Sequence, residues 1–162
     1  MSAAIEVRRL GPGDLEALRA MNRLFGEVFD DPQSYASAPP GDAYLERLAG
    51  QDQFIALSAF IDGALAGCLA GYELVKFEQQ RSEIYIYDLA VRELFRRRGV
   101  ATALVEALKP IARACGAWMI FVQADPVDGP AVALYETLGA REEVLHFDID
   151  PGSAGAPRSD HG

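Results

Sequence analysis

Cysteine is scarce in this chain. Its two residues, Cys68 and Cys115, lie inside apolar segments without a CxxC pair or a histidine at ligand spacing, which points to reduced packing side chains rather than a disulfide framework or a metal site. No apolar run approaches the length that spans a bilayer, and Met1 to Glu6 lacks a basic-then-apolar leader pattern. A cytoplasmic protein with no membrane partner is the expectation. No GxGxxG occurs, and no lysine and Ser/Thr pair follows the glycine of the basic loop, so hydride transfer to a dinucleotide and nucleotide hydrolysis both fit poorly. Positive charge is also short: 15 Lys and Arg stand against 24 Asp and Glu, a net −9. A nucleic-acid polyanion would be repelled by that field, and a cationic partner is its natural complement.

Half of the 162 residues are apolar, enough for one domain with a single sizeable core over residues 1–150 and for an enclosed ligand cleft. Val7 to Leu10 predicts a first strand. Gly11-Pro12-Gly13 then turns into Asp14, an N-cap for an amphipathic helix reaching about Phe29 through Leu15, Leu18, Met21, Leu24, Phe25 and Val28. Three prolines make Asp30 to Gly41 a loop, and Asp42 caps a short helix over Ala43 to Ala49. Asp62-Gly63, between apolar runs Phe54 to Ile61 and Ala64 to Leu74, is the strongest hairpin signal.

Glu83 to Val91 is rich in β-branched and aromatic residues and predicts a strand. Ala101 to Cys115 predicts a helix ended by Gly116, with a kink or break near Ala107 to Lys109 imposed by Pro110. A strand over Ala117 to Gln123, a helix over Ala131 to Leu138 opened by Pro130 and closed by Gly139, and a last strand over Glu143 to Asp148 complete the pattern. Residues 151–162 have little to bury and read as a disordered tail. The order β, α, α, β, β, β, α, β, α, β is α+β. Its first half is mainly antiparallel and a strand-helix-strand unit follows.

Arg96-Arg97-Arg98-Gly99-Val100-Ala101 sits where a strand turns into the long helix. Such a loop assembles an anion site from backbone N–H groups, the helix dipole and arginine side chains. Charge alone equally allows a solvated arginine run capping a helix. The spacing Arg-x-x-Gly-x-Ala resembles the acyl-CoA loop of the GCN5-related N-acetyltransferases, and two further segments resemble that family in order. They are Tyr85-Ile86-Tyr87-Asp88-Leu89-Ala90-Val91 and Ala131-Val132-Ala133-Leu134-Tyr135-Glu136-Thr137-Leu138-Gly139-Ala140. More closely, FEQQRSEIYIYDLAV, PAVALYETLGAREEV and HFDIDP are similar to the type I aminoglycoside 3-N-acetyltransferases, also called gentamicin acetyltransferases. That likeness covers most of residues 5–151.

The resemblance implies a GCN5-related fold, a central mixed sheet flanked by helices. It further implies acetyl-CoA as cosubstrate, no metal, a homodimer, and a cationic aminoglycoside whose 3-amino group is acetylated by direct transfer in a ternary complex, conferring resistance. It implies a bulged strand whose Leu89, Ala90 and Val91 meet the thioester and pantetheine. Amides of Arg97, Arg98, Gly99, Val100, Ala101 and Thr102 would face the phosphates, the side chains of Arg96 and Arg98 would add ion pairs, and Ala131 and Leu138 would complete the cofactor contacts. Transfer needs a free amine, a stabilised oxyanion and a protonated leaving thiolate. Asp88, a carboxylate in an otherwise apolar strand, is the candidate base or amine ligand, with a structural aspartate at the bulge as the alternative.

Tyr135 is the candidate acid, with core packing as its alternative. Carboxylates spread over a wide cleft would meet several ammonium groups: Glu78, Glu83, Asp125, Asp128, Asp148 and Asp150, with Asp42 and Tyr44 on the opposite wall. Any one of them also reads as a solvated surface residue. His146 reads as a half-buried strand residue, with support of a site residue from behind as the alternative. Neither cysteine sits in an activating motif, so no acyl-enzyme is expected. Two other functions stay open: acetylation of polyamines or polypeptide amines on the same fold, and a noncatalytic acyl-CoA sensor. Asp88 and Tyr135 together disfavour the sensor.

Overall fold

The computed structural model describes residues 3–152; of the expected tail, everything from residue 153 lies outside the described residues. The chain forms two compact units, one ending at Ala124 and the other starting at Asp125.

In the first unit, β1 (Ile5–Arg9), β2 (Phe54–Ile61), β3 (Ala64–Val75), β4 (Ser82–Val91) and β5 (Ala117–Val122) form one sheet in sequence order. The first three junctions are antiparallel and the β4–β5 junction is parallel, which makes the sheet mixed, as expected. Asp62 (φ 49°) and Gly63 (φ 78°) are both left-handed, the backbone a two-residue hairpin needs to match strand twist. The parallel pair requires a crossover, and α4 (Val100–Ala114) supplies it.

Helix α1 (Leu15–Val28) buries Leu18, Met21, Leu24 and Phe25, its apolar stripe, against Ala56, Cys68 and Ala90 on one face of the sheet. Helix α4 covers the opposite face. A Cβ on Gly67 would lie 2.8 Å from Val100 Cγ1 and 2.9 Å from the Ala90 carbonyl, so glycine there allows the start of α4 to rest on the strands. Helix α3 (Asp42–Ala49) starts one residue earlier than its sequence suggests; Gly41 is the cap, and Asp42 in the first turn forms an ion pair with Arg19.

Three expectations are corrected. The proline-rich segment is not all loop, because α2 (Pro32–Tyr35) forms within it, with Pro32 opening the turn and Asp31 accepting a bond from the Ser34 amide at 3.0 Å. Helix α4 runs on through Pro110 without the break that was one of the two outcomes expected there; Pro110 lies on its exposed side, where water can take up the Glu106 carbonyl that proline leaves without a donor. No strand forms over Glu143 to Asp148. Leu145, Phe147 and Ile149 alternate as a strand would, yet all three are exposed; alternation becomes a strand only when a neighbouring strand takes up its backbone groups. The second unit's regular element is α5 (Gly129–Leu138). Among the described residues, no helix is long and apolar enough to cross a membrane.

Candidate active site

One extra residue in β4 determines where Asp88 points. The β3–β4 register pairs Ala70 with Asp88 but Gly71 with Ile86, leaving Tyr87 unmatched. In a regular strand successive side chains alternate. Tyr85, opposite Tyr72, lies on the α1 side of the sheet and Ile86 on the α4 side. The bulge lets Tyr87 and Asp88 both line the cleft on the α1 side, where unbroken alternation would turn Asp88 into the apolar core under α4.

That cleft encloses about 210 Å³ between α1, α3 and strands β2 to β4. Its polar lining includes Asn22, Tyr44, Tyr72 and Tyr87, and Asp88 is its only ionisable acid or base besides the tyrosines. An aromatic ribbon starts in its lining and leads out of it, from Phe54 to Tyr72 (5.6 Å between ring centres), edge-on to Tyr87 (6.0 Å), to Tyr85 (5.6 Å) and stacked on Phe121 (4.7 Å). Burial pushes the Asp88 carboxyl above the usual carboxylate range, while the Tyr35 hydroxyl, donating to Asp88 Oδ2 at 2.8 Å, works in the opposite direction. The net shift is upward.

Beside Asp88, β4 has a free edge. Pairing with β5 ends at Ile86 and Val122, so the rest of β4 has no strand partner on that side among the described residues. The Arg92 amide donates to the Ala66 carbonyl at 2.9 Å. By alternation, Ala90 directs its backbone groups to β3, while Leu89 and Val91 direct theirs to the open edge. The amides of Leu89 and Val91 are therefore available to a ligand and that of Ala90 is used in the ladder.

The loop that follows delivers amides as well. Arg97 (φ 60°) and Gly99 (φ 81°) are left-handed, and α4 starts with no side-chain cap, so the N–H groups of Val100, Ala101 and Thr102 have no partner within the helix. Arg96, Arg97 and Arg98 are exposed. Arg96 Nε reaches the Val91 carbonyl at 3.5 Å and the Arg98 guanidinium lies 5.6 Å from the Phe95 ring. Unpaired amides, a helix N-terminus and three guanidinium groups suit a polyphosphate.

The other acidic candidates have local partners. Glu83 pairs with Lys76 at 3.4 Å, and Glu78 with Lys76 and Arg81 at 3.6 and 3.7 Å. Asp42 is held by Arg19, whereas Tyr44 lines the cleft. In the second unit, Asp125 accepts from the Val127 amide, Asp128 caps α5 through the Ala131 amide at 3.2 Å, and Asp150 accepts from Gly152. His146 is exposed rather than half-buried in a strand, and lies 2.9 Å from Asp148. Tyr135 and Leu138 are half-buried on α5, and burial with the Asp128 carboxylate raises the Tyr135 phenol above its ordinary value. Among the described residues no group of three or more His, Cys, Asp and Glu could hold a metal ion.

Sequence reasoning missed Tyr35, Tyr72, Tyr87 and Asn22. The pair Asp31-Pro32 carried the signal for α2, since aspartate before proline is a helix-start pattern; the tyrosines' shared face depended on the bulge.

A mixed sheet whose fourth strand bulges and parts from the fifth, followed by a glycine-opened helix, is the fold of an N-acetyltransferase. The model of the Acetyltransferase (GNAT) family matches residues 18–140, and the chain belongs to that family. Among solved structures it is similar to an aminoglycoside acetyltransferase, HMB0005, from an uncultured soil metagenomic sample, at 53% identity and a TM-score of 0.88, covering 91% of this chain and 98% of that one. A second, aminoglycoside acetyltransferase meta-AAC0020 from an uncultured soil metagenomic sample, was solved with sisomicin; it is 30% identical with a TM-score of 0.83, covering 90% and 95%. A third, an aminoglycoside N-acetyltransferase AAC(6')-Iy in complex with CoA, shares the fold at 18% identity and a TM-score of 0.74, covering 93% and 97%. A search of curated proteins found no match.

Proposed function

We propose that this protein transfers the acetyl group of acetyl-CoA to the 3-amino group of an aminoglycoside antibiotic such as gentamicin, within a ternary complex, and so confers resistance. The observation that carries the reading is the bulge that turns Asp88 into a tyrosine-lined cleft beside the free edge of β4. The similarity to two aminoglycoside acetyltransferases supports the substrate class.

Amines of this kind have ordinary pKa values of roughly 8 to 10 and arrive mostly as ammonium. Asp88 attracts the ammonium and takes one proton from it. The freed lone pair attacks the thioester carbonyl carbon; the C–N bond forms as the carbonyl electrons move to oxygen, where the Leu89 and Val91 amides stabilise the oxyanion. Collapse restores the carbonyl and breaks the C–S bond. Tyr135 gives its proton to the departing thiolate; of the two N–H protons still on nitrogen, one leaves to water and the other stays on the amide, after which Asp88 releases its proton and Tyr135 regains one from solvent. The loop amides hold the pyrophosphate, with Arg96 and Arg98 as ion-pair partners. Tyr44 and the acidic residues Asp42, Glu78, Glu83, Asp125, Asp128, Asp148 and Asp150 form the wider substrate surface of this reading. Residues 1–150 act as one catalytic domain, in a cytoplasmic homodimer that works where acetyl-CoA is supplied.

The test is thiol release from acetyl-CoA with gentamicin, a kanamycin, spermidine and a peptide amine, followed by mapping of the acetylated nitrogen. Turnover on gentamicin with the acetyl group at N3 is expected. Preference for spermidine or the peptide moves the protein to another amine class, and no turnover with intact acyl-CoA binding makes it a sensor.

A further inference from the structure

Tyr35 comes from α2, an element with no apparent connection to the chemistry, yet its hydroxyl donates to Asp88 Oδ2 at 2.8 Å across 53 positions of sequence. Three features fix the ring. It lies 6.0 Å from Phe25 and 5.9 Å from Phe29; Asp31 and Pro32 define the turn that carries it; and Gly26 gives it room, because a Cβ at Gly26 would stand 3.0 Å from Tyr35 Cβ. A hydroxyl placed this way is a directed contact, since the same packing with phenylalanine would satisfy the apolar cluster alone.

Resting on the reading of Asp88 as the group that receives the amine, we propose that Tyr35 is a positioning residue for acetyl transfer. By occupying Asp88 Oδ2 it fixes the plane of the carboxylate and leaves Oδ1 as the oxygen that meets the incoming ammonium. Among the described residues the Asp88 carboxylate accepts no other hydrogen bond. The polar groups that line the cleft with Asp88 are Asn22 from α1, Tyr44 from α3, Tyr72 from β3 and Tyr87 from β4, and Tyr35 from α2 bonds to it directly. None of them is cationic at neutral pH, so the Tyr35 bond is the contact on hand to favour the ionised carboxylate over burial. In such a site a donated hydrogen bond counts for more than it would in water, and removing it leaves a half-buried carboxylate undersolvated.

The experiment compares Tyr35→Phe with wild type by kcat and KM across pH, and by ¹³C NMR titration of the Asp88 carboxyl in the free protein. Expected is an Asp88 midpoint displaced to higher pH, with the acid limb of kcat/KM displaced alongside it. The plateau kcat falls by roughly ten- to a hundredfold, the loss of a hydrogen bond to a charged group, while CoA affinity is kept. An unmoved midpoint overturns the proposal, and so does a displaced midpoint with wild-type kcat. If Tyr35→Phe does not fold, Gly26→Ala keeps the hydroxyl but crowds the ring; the same upward displacement, smaller in size, is expected, and its absence is equally decisive. Asp88→Asn with wild-type turnover would remove the base reading itself. An inactive Asp88→Asn beside an unaffected Tyr35→Phe would remove only the role of Tyr35.

Discussion

At the scale of single residues, the cleft concentrates its chemistry in one carboxylate whose protonation is set by two opposed effects. Burial raises the Asp88 pKa and the Tyr35 hydroxyl lowers it, with burial the larger. The consequence for stability has a definite sign. Because the folded pKa lies above the unfolded value near ~3.9, ionised Asp88 destabilises the folded state. That cost appears as pH rises through the unfolded pKa and is complete above the folded one. Asp88→Asn is therefore expected to melt at a higher temperature than wild type at pH 7 to 8, by a margin that vanishes near pH 3. Its turnover should fall by about 10²-fold or more, partly recovered at alkaline pH where more amine is already neutral. Parallel melting curves at both pH values would remove the upward displacement of the Asp88 pKa, and wild-type turnover would assign Asp88 a purely structural role. Tyr135 differs in kind: its raised pKa keeps the phenol protonated at neutral pH, though giving that proton to a thiolate of ordinary pKa ~8.5 is uphill. Tyr135→Phe should slow turnover by about 10- to 10⁴-fold with both substrates still bound, and equal rates would make water the acid.

At the scale of elements, β4 and the start of α4 act together, one offering strand-edge amides and the other helix-terminal amides. Two glycines test that arrangement in separate ways. Gly99 has open space around it but a left-handed backbone, so Gly99→Val acts through backbone strain of about 1–2 kcal/mol and through the loop shape itself. CoA affinity should weaken about tenfold or more, with aminoglycoside affinity kept, as calorimetry of the folded variant would read. Unchanged CoA affinity would separate the loop from the phosphates. Gly67→Ala instead forces a Cβ against Val100 and the Ala90 carbonyl, so it should cost about 1–3 kcal/mol by overpacking, visible as a lower denaturation midpoint with an unchanged slope.

What was legible in the sequence follows the same division. The hairpin, α1 and the glycine loop were readable because each is fixed by local rules: two turn residues, an apolar stripe, one residue free to take positive φ. The bulge at Tyr87 entered only through family resemblance, since no local pattern around Asp88 distinguishes a bulged strand from a regular one. Tyr35 was hidden because its meaning lies in a contact made after folding. The strand over Glu143 to Asp148 failed for the converse reason: its alternation is local, but a strand is a pairing.

At the scale of the whole molecule, a net charge of −9 attracts any polycation before it finds a site. This general attraction has to be separated from the proposed contacts. Asp148 and Asp150 are exposed and belong to the proposed substrate surface; Glu6 in β1 and Glu16 in α1 are also exposed and lie outside it. If only the overall field mattered, neutralising either pair would lower aminoglycoside affinity slightly and equally, because charges beyond a Debye length of roughly 8–10 Å are screened near physiological salt. Direct contacts give a different result. The variant carrying Asp148→Asn and Asp150→Asn should bind aminoglycoside about three- to tenfold more weakly, for one or two exposed ion pairs of up to ~1 kcal/mol each. Its loss of affinity with rising salt should also be shallower than that of the Glu6→Gln and Glu16→Gln variant. CoA affinity should weaken with salt alike in both variants, since the proposed site opposes its phosphates with the arginines of the loop before α4 rather than with carboxylates. Identical aminoglycoside slopes in the two variants would take Asp148 and Asp150 out of the substrate surface, leaving Asp88 and the tyrosines to account for recognition.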